Sequence, residues 1–220
     1  MIRPAAVFFD LDGTLVDSAP DLAAAANAMR SARGLAQVPY EQLRPLAGSG
    51  ARGMLSGAFG RTPGDDDYVA LRDEFHDRYE QCMLERTHAF DGIEALLARL
   101  HGHGLPWGIV TNKARRFAAP LVAAMAPLGG AATLVCGDCT PHTKPHPAPL
   151  HEAARRLAID PARCIYVGDD RRDVDAGHAA GMQTVAAAWG YLGPGADVCA
   201  WSAAHVIAAP AELLNWLDLA

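Results

Sequence analysis

Short, uninterrupted apolar runs recur along this chain. Ala5-Ala6-Val7-Phe8-Phe9 is the first, followed by Trp107-Gly108-Ile109-Val110, Thr133-Leu134-Val135, Cys164-Ile165-Tyr166-Val167 and Thr184-Val185-Ala186-Ala187. A strand with one wet face alternates apolar and polar residues, so a continuous run predicts a strand covered on both faces of a parallel sheet. Between the runs the apolar positions change to helical spacing. Ile93, Leu96, Leu97 and Leu100 follow i, i+3, i+4, i+7, as do Leu150, Ala153, Ala154 and Leu157; Phe117, Leu121 and Met125 form a third such row. This alternation predicts a doubly wound, mostly parallel α/β sheet with helices on both faces.

Residues 17–88 break the pattern. Leu22, Ala25, Ala26 and Met29 predict one amphipathic helix, and Leu71, Phe75, Tyr79 and Cys82 another, with no buried strand between them. Gly48-Ser49-Gly50 and Gly60-Arg61-Thr62-Pro63-Gly64 read as turn-rich joints. The segment is expected to be an inserted helical domain, leaving 1–16 and 89–220 as the α/β core.

Composition narrows the function classes. Half of the 220 residues are apolar and a fifth are charged, which is globular rather than disordered. Nineteen basic against 25 acidic residues give a formal charge of −6, which argues against nucleic-acid or anionic-membrane partners. The Ala5–Phe9 run is too short for a signal peptide's core or a membrane span. Five cysteines, an odd number, point to reduced thiols and a cytoplasmic protein. Seventeen of the basic residues are Arg, and only positions 113 and 144 are Lys. Where Arg serves as the generic cation, two retained lysines call for a reason.

The chemistry-bearing residues lie where the predicted strands end. Asp10-Leu11-Asp12-Gly13-Thr14 follows the first strand, and residues i and i+2 of an extended chain project to one side. Ligand sites in open α/β sheets lie at the carboxyl ends of strands. Crowded carboxylates there need a cation or a raised pKa. An isolated Asp-Gly would be an ordinary turn; a five-residue string behind an apolar strand suggests a site. Gly168-Asp169-Asp170-Arg171-Arg172-Asp173 follows the Cys164–Val167 strand, and Asp169 by itself could be a helix N-cap. Two acidic clusters on two strand ends suit a hard divalent cation, Mg²⁺. Thr111-Asn112 offers a hydroxyl and turn amides to an anion. Lys144 lies between Thr143 and Pro145 in a loop restricted by two prolines, a placement suited to a phosphate or an anionic nucleophile.

Asp10-x-Asp12-Gly13-Thr14, Thr111, Lys144-Pro145 and Gly168-Asp169-x-x-x-Asp173 stand in the order of the four motifs of the haloacid dehalogenase superfamily. The chain resembles that superfamily over essentially its whole length, and residues 17–88 resemble its α-helical cap. Within it the sequence is similar to the phosphoglycolate phosphatase group. Gly48-Ser49-Gly50-Ala51-Arg52, Val110-Thr111-Asn112-Lys113 and Val167 to Asp173 look closest to bacterial members that act on N-acetylmuramic acid 6-phosphate. The resemblance implies a Rossmann-like core and Mg²⁺-dependent hydrolysis of a small phosphorylated metabolite. It implies Asp10 as nucleophile and metal ligand, and Asp12 as acid and base with its main-chain carbonyl on the metal. Asp169 would complete the protein's ligands, with Asp173 behind them. Thr111, Gly13 and Asn112 would hold the phosphoryl group, and Lys144 would offset its charge. Two other classes stay open on this reading: a β-phosphoglucomutase-like sugar-phosphate mutase, and a catalytically silent binding protein. The protein would be a monomer or a homodimer.

Other groups carry weaker signals. Cys136 and Cys139 with His142 and His146 resemble a compressed zinc cluster, but only two residues separate its halves where about a dozen are usual. The run reads rather as a strand end entering the Lys144 loop. Arg52 is a candidate for grasping a substrate carboxylate, as are Arg115 and Arg116. Asp65-Asp66-Asp67 reads as a solvated loop, and Trp189 and Tyr191 as packing near the site's edge.

Overall fold

The computed structural model describes residues 4–193 and 195–219; residues 1–3 and 220, the outer ends of the expected core, lie outside them. Strands β1 (Ala6–Phe9) and β2 (Val16–Asp17) lead into helices α1 (Ala19–Ala32), α2 (Tyr40–Leu43), α3 (Gly50–Phe59) and α4 (Tyr68–Cys82). After β3 (His88–Ala89) come α5 (Ile93–Gly102), β4 (Trp107–Val110), α6 (Arg115–Ala124), β5 (Leu134–Val135) and α7 (Ala148–Arg156). The chain ends with β6 (Cys164–Gly168), α8 (Arg171–Ala179), β7 (Gln183–Ala187), β8 (His205–Ile207) and α9 (Pro210–Trp216). It divides into two compact units, Met1–Val16 with Ala89–Ala220, and Asp17–His88.

The first unit holds a six-stranded sheet in the order β5-β4-β1-β6-β7-β8, with each neighbouring pair parallel. The central strand, β1, sets Val7 opposite Trp107 on one side and Ile165 on the other. Successive side chains leave a strand on opposite faces, so the apolar runs feed two cores. Val7, Phe9, Ile109, Ile165, Val167 and Val185 pack with Ile93, Leu97, Leu121 and Leu213. Ala6, Phe8, Val110, Val135 and Tyr166 pack instead with Leu150, Ala153 and Ala176. Both faces are covered by helices, which is why the strands carry no alternating polar residues. The expected α/β class is observed.

β8 and α9 add to the elements that the apolar pattern predicts. β8 has only three residues, with His205 and Val206 partly or fully exposed, too short and too wet to register as an apolar run.

The second unit is helical. α1 buries Leu22, Ala25, Ala26 and Met29, and α4 buries Leu71, Phe75 and Tyr79. Buried Asp21 accepts hydrogen bonds from the Arg86 and Thr87 amides and the Thr87 hydroxyl, fastening the first turn of α1 to that segment. The Gly48-Ser49-Gly50 joint is where the 3₁₀ turn Arg44–Ser49 meets α3, and Gly50 takes a φ of +54° there, in the left-handed region. Three residues on, inside α3, a Cβ at Gly53 would overlap the Leu46 carbonyl. At Gly60 the turn reading stands, with a left-handed φ of 65° ending α3. Among the described residues no helix is long and apolar enough to cross a membrane.

Candidate active site

Asp10 stands one residue beyond β1, anchored by its amide to the Val167 carbonyl of β6 (2.9 Å). The chain then doubles back: the Leu11 carbonyl accepts from the Leu15 and Val16 amides, both at 3.0 Å. Gly13 takes a φ of +87°, the left-handed region that glycine adopts without strain. A Cβ at Gly13 or at Gly190 would overlap the Asp169 side chain, so Asp169 lies in a cleft lined by two glycines. Its Oδ1 accepts from the Thr14 hydroxyl (2.9 Å) and its Oδ2 from the Tyr191 amide (2.8 Å). Gly190→Ala should therefore displace Asp169, costing about 1–3 kcal/mol of stability by overpacking and roughly 10²-fold in activity by misplacement. Wild-type kinetics in that variant would show that the contact does not set Asp169.

Lys144 is the hub. Its side chain is 2% exposed, and its Nζ reaches Asp10 Oδ1 (2.9 Å), Asp173 Oδ1 (2.6 Å), the Tyr166 hydroxyl (2.7 Å) and the Val110 carbonyl (3.1 Å). The loop that carries it is braced by Asn112, whose Oδ1 accepts from the Lys144 amide (2.9 Å) and whose Nδ2 donates to the Lys144 carbonyl (3.0 Å). The Lys144–Pro145 peptide is cis. Thr111 is buried, its amide bonded to the Val135 carbonyl (2.9 Å) and its hydroxyl accepting from the Lys113 amide (3.1 Å).

The electrostatics follow from this crowding. Burial pushes the Asp10 carboxyl up to about 6 although Lys144 acts to lower it, and Asp173 and Asp12 raise it further. Burial also drives Asp169 well above the carboxylate range, reinforced by the charges of Asp10 and Asp173. Burial opposes the Lys144 charge, yet Asp10 and Asp173 hold its pKa above the ordinary value.

Asp10, Asp169 and Asp173 offer oxygens that all lie within 4.8 Å of one another. When ionised, these three carboxylates carry three negative charges against the one Lys144 ammonium that directly contacts Asp10 and Asp173. Hard oxygen donors with that charge deficit fit a divalent cation such as Mg²⁺.

The sequence-derived candidates divide. Asp10, Asp169, Asp173 and Lys144 come together. The Asp12 carboxylate is not one of the metal-suited trio; Lys113 Nζ holds both of its oxygens, at 2.9 and 3.0 Å. Asp169 is not an N-cap: Asp170 caps α8, in a reciprocal capping box with Asp173. Arg52 lies exposed on α3 in the second unit. Arg115 is engaged elsewhere, donating from its guanidinium to Cys139 Sγ (3.1 Å) and from its amide to Asp138 (3.1 Å). Arg116 lies over the Phe117 ring. Cys136, Asp138 and Cys139 form a second potential ligand group, but Arg115 already sets a cation against it. His142 and His146 lie against one another, their rings tilted by 31° with centroids 4.3 Å apart, and are not part of that group.

Sequence reasoning missed several participants. Tyr166 had a detectable signal, since a tyrosine in a buried strand needs a partner for its hydroxyl. Lys113 had one in the scarcity of lysine. The Tyr191 contribution is a backbone amide, which no residue type advertises.

A family model described as haloacid dehalogenase-like hydrolase matches residues 7–187. An N-acetylmuramic acid 6-phosphate phosphatase from Pseudomonas aeruginosa is 41% identical over 219 residues, covering 100% of this chain and 97% of that protein. A phosphoglycolate phosphatase from Xanthomonas campestris pv. campestris is 44% identical over 210 residues, covering 96% and 95%. A crystal structure described as a predicted phosphoglycolate phosphatase from Haemophilus somnus matches with a TM-score of 0.86 at 25% identity, over 98% of this chain and 99% of that one. The chain belongs to the haloacid dehalogenase-like hydrolase family.

Proposed function

We propose that this protein is a Mg²⁺-dependent phosphatase that hydrolyses a small phosphate monoester through an aspartyl-phosphate. The observation that carries the reading is the buried Lys144 ammonium bound to Asp10, at a point where the Asp10, Asp169 and Asp173 carboxylates converge. Asp10 is the nucleophile: its carboxylate oxygen forms a bond to phosphorus as the ester P–O bond breaks. Asp12 gives a proton to the departing alcohol oxygen, then takes one from the water that cleaves the acyl phosphate and restores Asp10. Lys144 offsets charge on Asp10 and on the phosphoryl oxygens, the kind of electrostatic stabilisation that supplies the largest share of such catalysis. Gly13, Thr111 and the Asn112 amide hold the phosphoryl group. Asp10, Asp169 and the Asp12 main-chain carbonyl would hold Mg²⁺, with Asp173 behind them; the bound cation would polarise the phosphoryl oxygens.

Residues 17–88 would act as a cap that limits access to free metabolites, with Arg52 grasping a substrate carboxylate. Phosphoglycolate and N-acetylmuramic acid 6-phosphate, the compounds that the relatives' names specify, both carry one. Reduced thiols and the chain's acidic balance favour a cytoplasmic setting. The test is phosphate release from both compounds and from p-nitrophenyl phosphate, with and without Mg²⁺. Turnover should fall by at least about 10²-fold when the cation is chelated, and one of the two metabolites should show the higher kcat/KM. No phosphate release from any of the three in Mg²⁺ would overturn the reading.

A further inference from the structure

We infer that Lys113 is a positioning residue for Asp12, holding the acid–base carboxyl in one orientation through both halves of the reaction; this rests on the phosphatase reading above. The Lys113 side chain is 7% exposed and that of Asp12 is 16% exposed. Its ammonium touches both Asp12 oxygens, at 2.9 and 3.0 Å. Contact with both oxygens fixes the plane of the carboxyl as well as its rotamer. The backbone that presents Lys113 is itself held at both ends. Its amide donates to the Thr111 hydroxyl (3.1 Å), and its carbonyl accepts from the Gly137 amide (2.9 Å). Gly137 packs so closely that a Cβ there would overlap the Asn112 carbonyl. The ammonium therefore projects from a fixed platform at the end of β4.

Proton transfer requires the carboxyl to lie within hydrogen-bond reach of the ester oxygen and later of water. As the ester P–O bond breaks, the Asp12 proton moves to the alcohol oxygen, leaving a carboxylate. As water then attacks the aspartyl-phosphate, its proton moves to that carboxylate, the Asp10–phosphate bond breaks, and phosphate leaves. A carboxyl free to change rotamer would lose both positions. The same ammonium, were it a phosphate ligand instead, would serve every substrate alike.

The experiment compares kcat/KM, which reports the steps through alcohol release, for two esters. One is p-nitrophenyl phosphate, whose leaving group departs without a proton. The other is whichever alkyl ester the wild type hydrolyses, phosphoglycolate or N-acetylmuramic acid 6-phosphate. Lys113→Met should lower the alkyl-ester value roughly 10- to 100-fold and the aryl-ester value by less than about threefold. In an Asp12→Asn background the same substitution should add less than about twofold, because residues acting as one unit are not additive. Lys113→Gln, which keeps a hydrogen-bond donor without the charge, carries the same comparison should the methionine variant fail to fold. Equal losses on the two esters, or an undiminished loss in the Asp12→Asn background, would overturn the positioning role. Failure of the underlying reading shows separately, as continued turnover by Asp10→Asn.

Discussion

Lys144→Met should destabilise the protein by about 3–5 kcal/mol, the cost of leaving buried carboxylates without their cation. For a chain of this size that corresponds to a fall in Tm of roughly 6–20 °C. Methionine nearly fills the space of the lysine stem, so the loss is electrostatic rather than a cavity effect. Asp10 and Asp173 would keep their burial and their mutual repulsion and lose the ammonium that lowers the Asp10 pKa. The deficit should depend on pH with a definite sign. Asp10 already titrates near 6 in the folded protein, against about 3.9 when unfolded. Removing Lys144 raises the folded value further, so the folded state binds more protons and its stability falls as pH rises through that value. The gap between variant and wild type should therefore be wide at pH 8 and narrow at pH 5. Calorimetric Tm values for both proteins at the two pH values decide it, and equal Tm at pH 8 would rule out the buried-charge account.

Asp10→Asn should do the opposite to stability while abolishing catalysis. An amide cannot form the acyl phosphate, so turnover should drop on the order of 10⁴-fold or more. In the absence of a divalent cation, the wild-type protein at pH 8 must hold the Asp10 charge in a buried place that raises its pKa to about 6. That penalty develops between about pH 4 and pH 6 and is full above it, because the unfolded chain ionises near 3.9. Asparagine removes it. Lys144 loses one partner but keeps Asp173 at 2.6 Å, so the net gain should be about 1 kcal/mol, or roughly 2–4 °C in Tm. The gain should vanish near pH 4, where wild-type Asp10 is already protonated. A variant less stable than wild type at pH 8 in chelator would show that the Asp10–Lys144 attraction outweighs the burial cost. A variant that keeps its turnover would dismiss Asp10 as nucleophile.

The glycines of the second unit show where local reading stops. Gly48-Ser49-Gly50 carries the composition of a turn, and Gly50 takes a φ of +54° where the 3₁₀ turn meets α3. Gly53, three residues on and inside α3, instead lets that helix approach the Leu46 carbonyl. Glycine signals either a turn or a close contact, and only the neighbouring backbone decides which. Asp169 and Asp170 make the same point in the first unit. Both are acidic and adjacent at the start of α8, and the one-residue difference in orientation makes Asp170 the cap and sends Asp169 into the carboxylate cluster.

What the sequence determined by itself was whatever depends on near neighbours. Apolar runs of three to five residues announced strands covered on both faces, because a polar residue there would face a packed helix instead of water. Helical spacing marked α1, α4 and α5, and the acidic strings marked the strand ends where Asp10, Asp169 and Asp173 converge. Tertiary structure alone decided which charges meet. Lys113 and Asp12 are 101 residues apart in the chain, and Thr14 and Asp169 are 155 apart. The parallel sheet brings β1, β4 and β6 side by side, so their carboxyl ends deliver Asp10, Lys113 and Asp169 to one edge. Side-chain periodicity is a local property of the backbone, whereas a buried ion pair is a property of strand order, and strand order is set by packing of the whole unit.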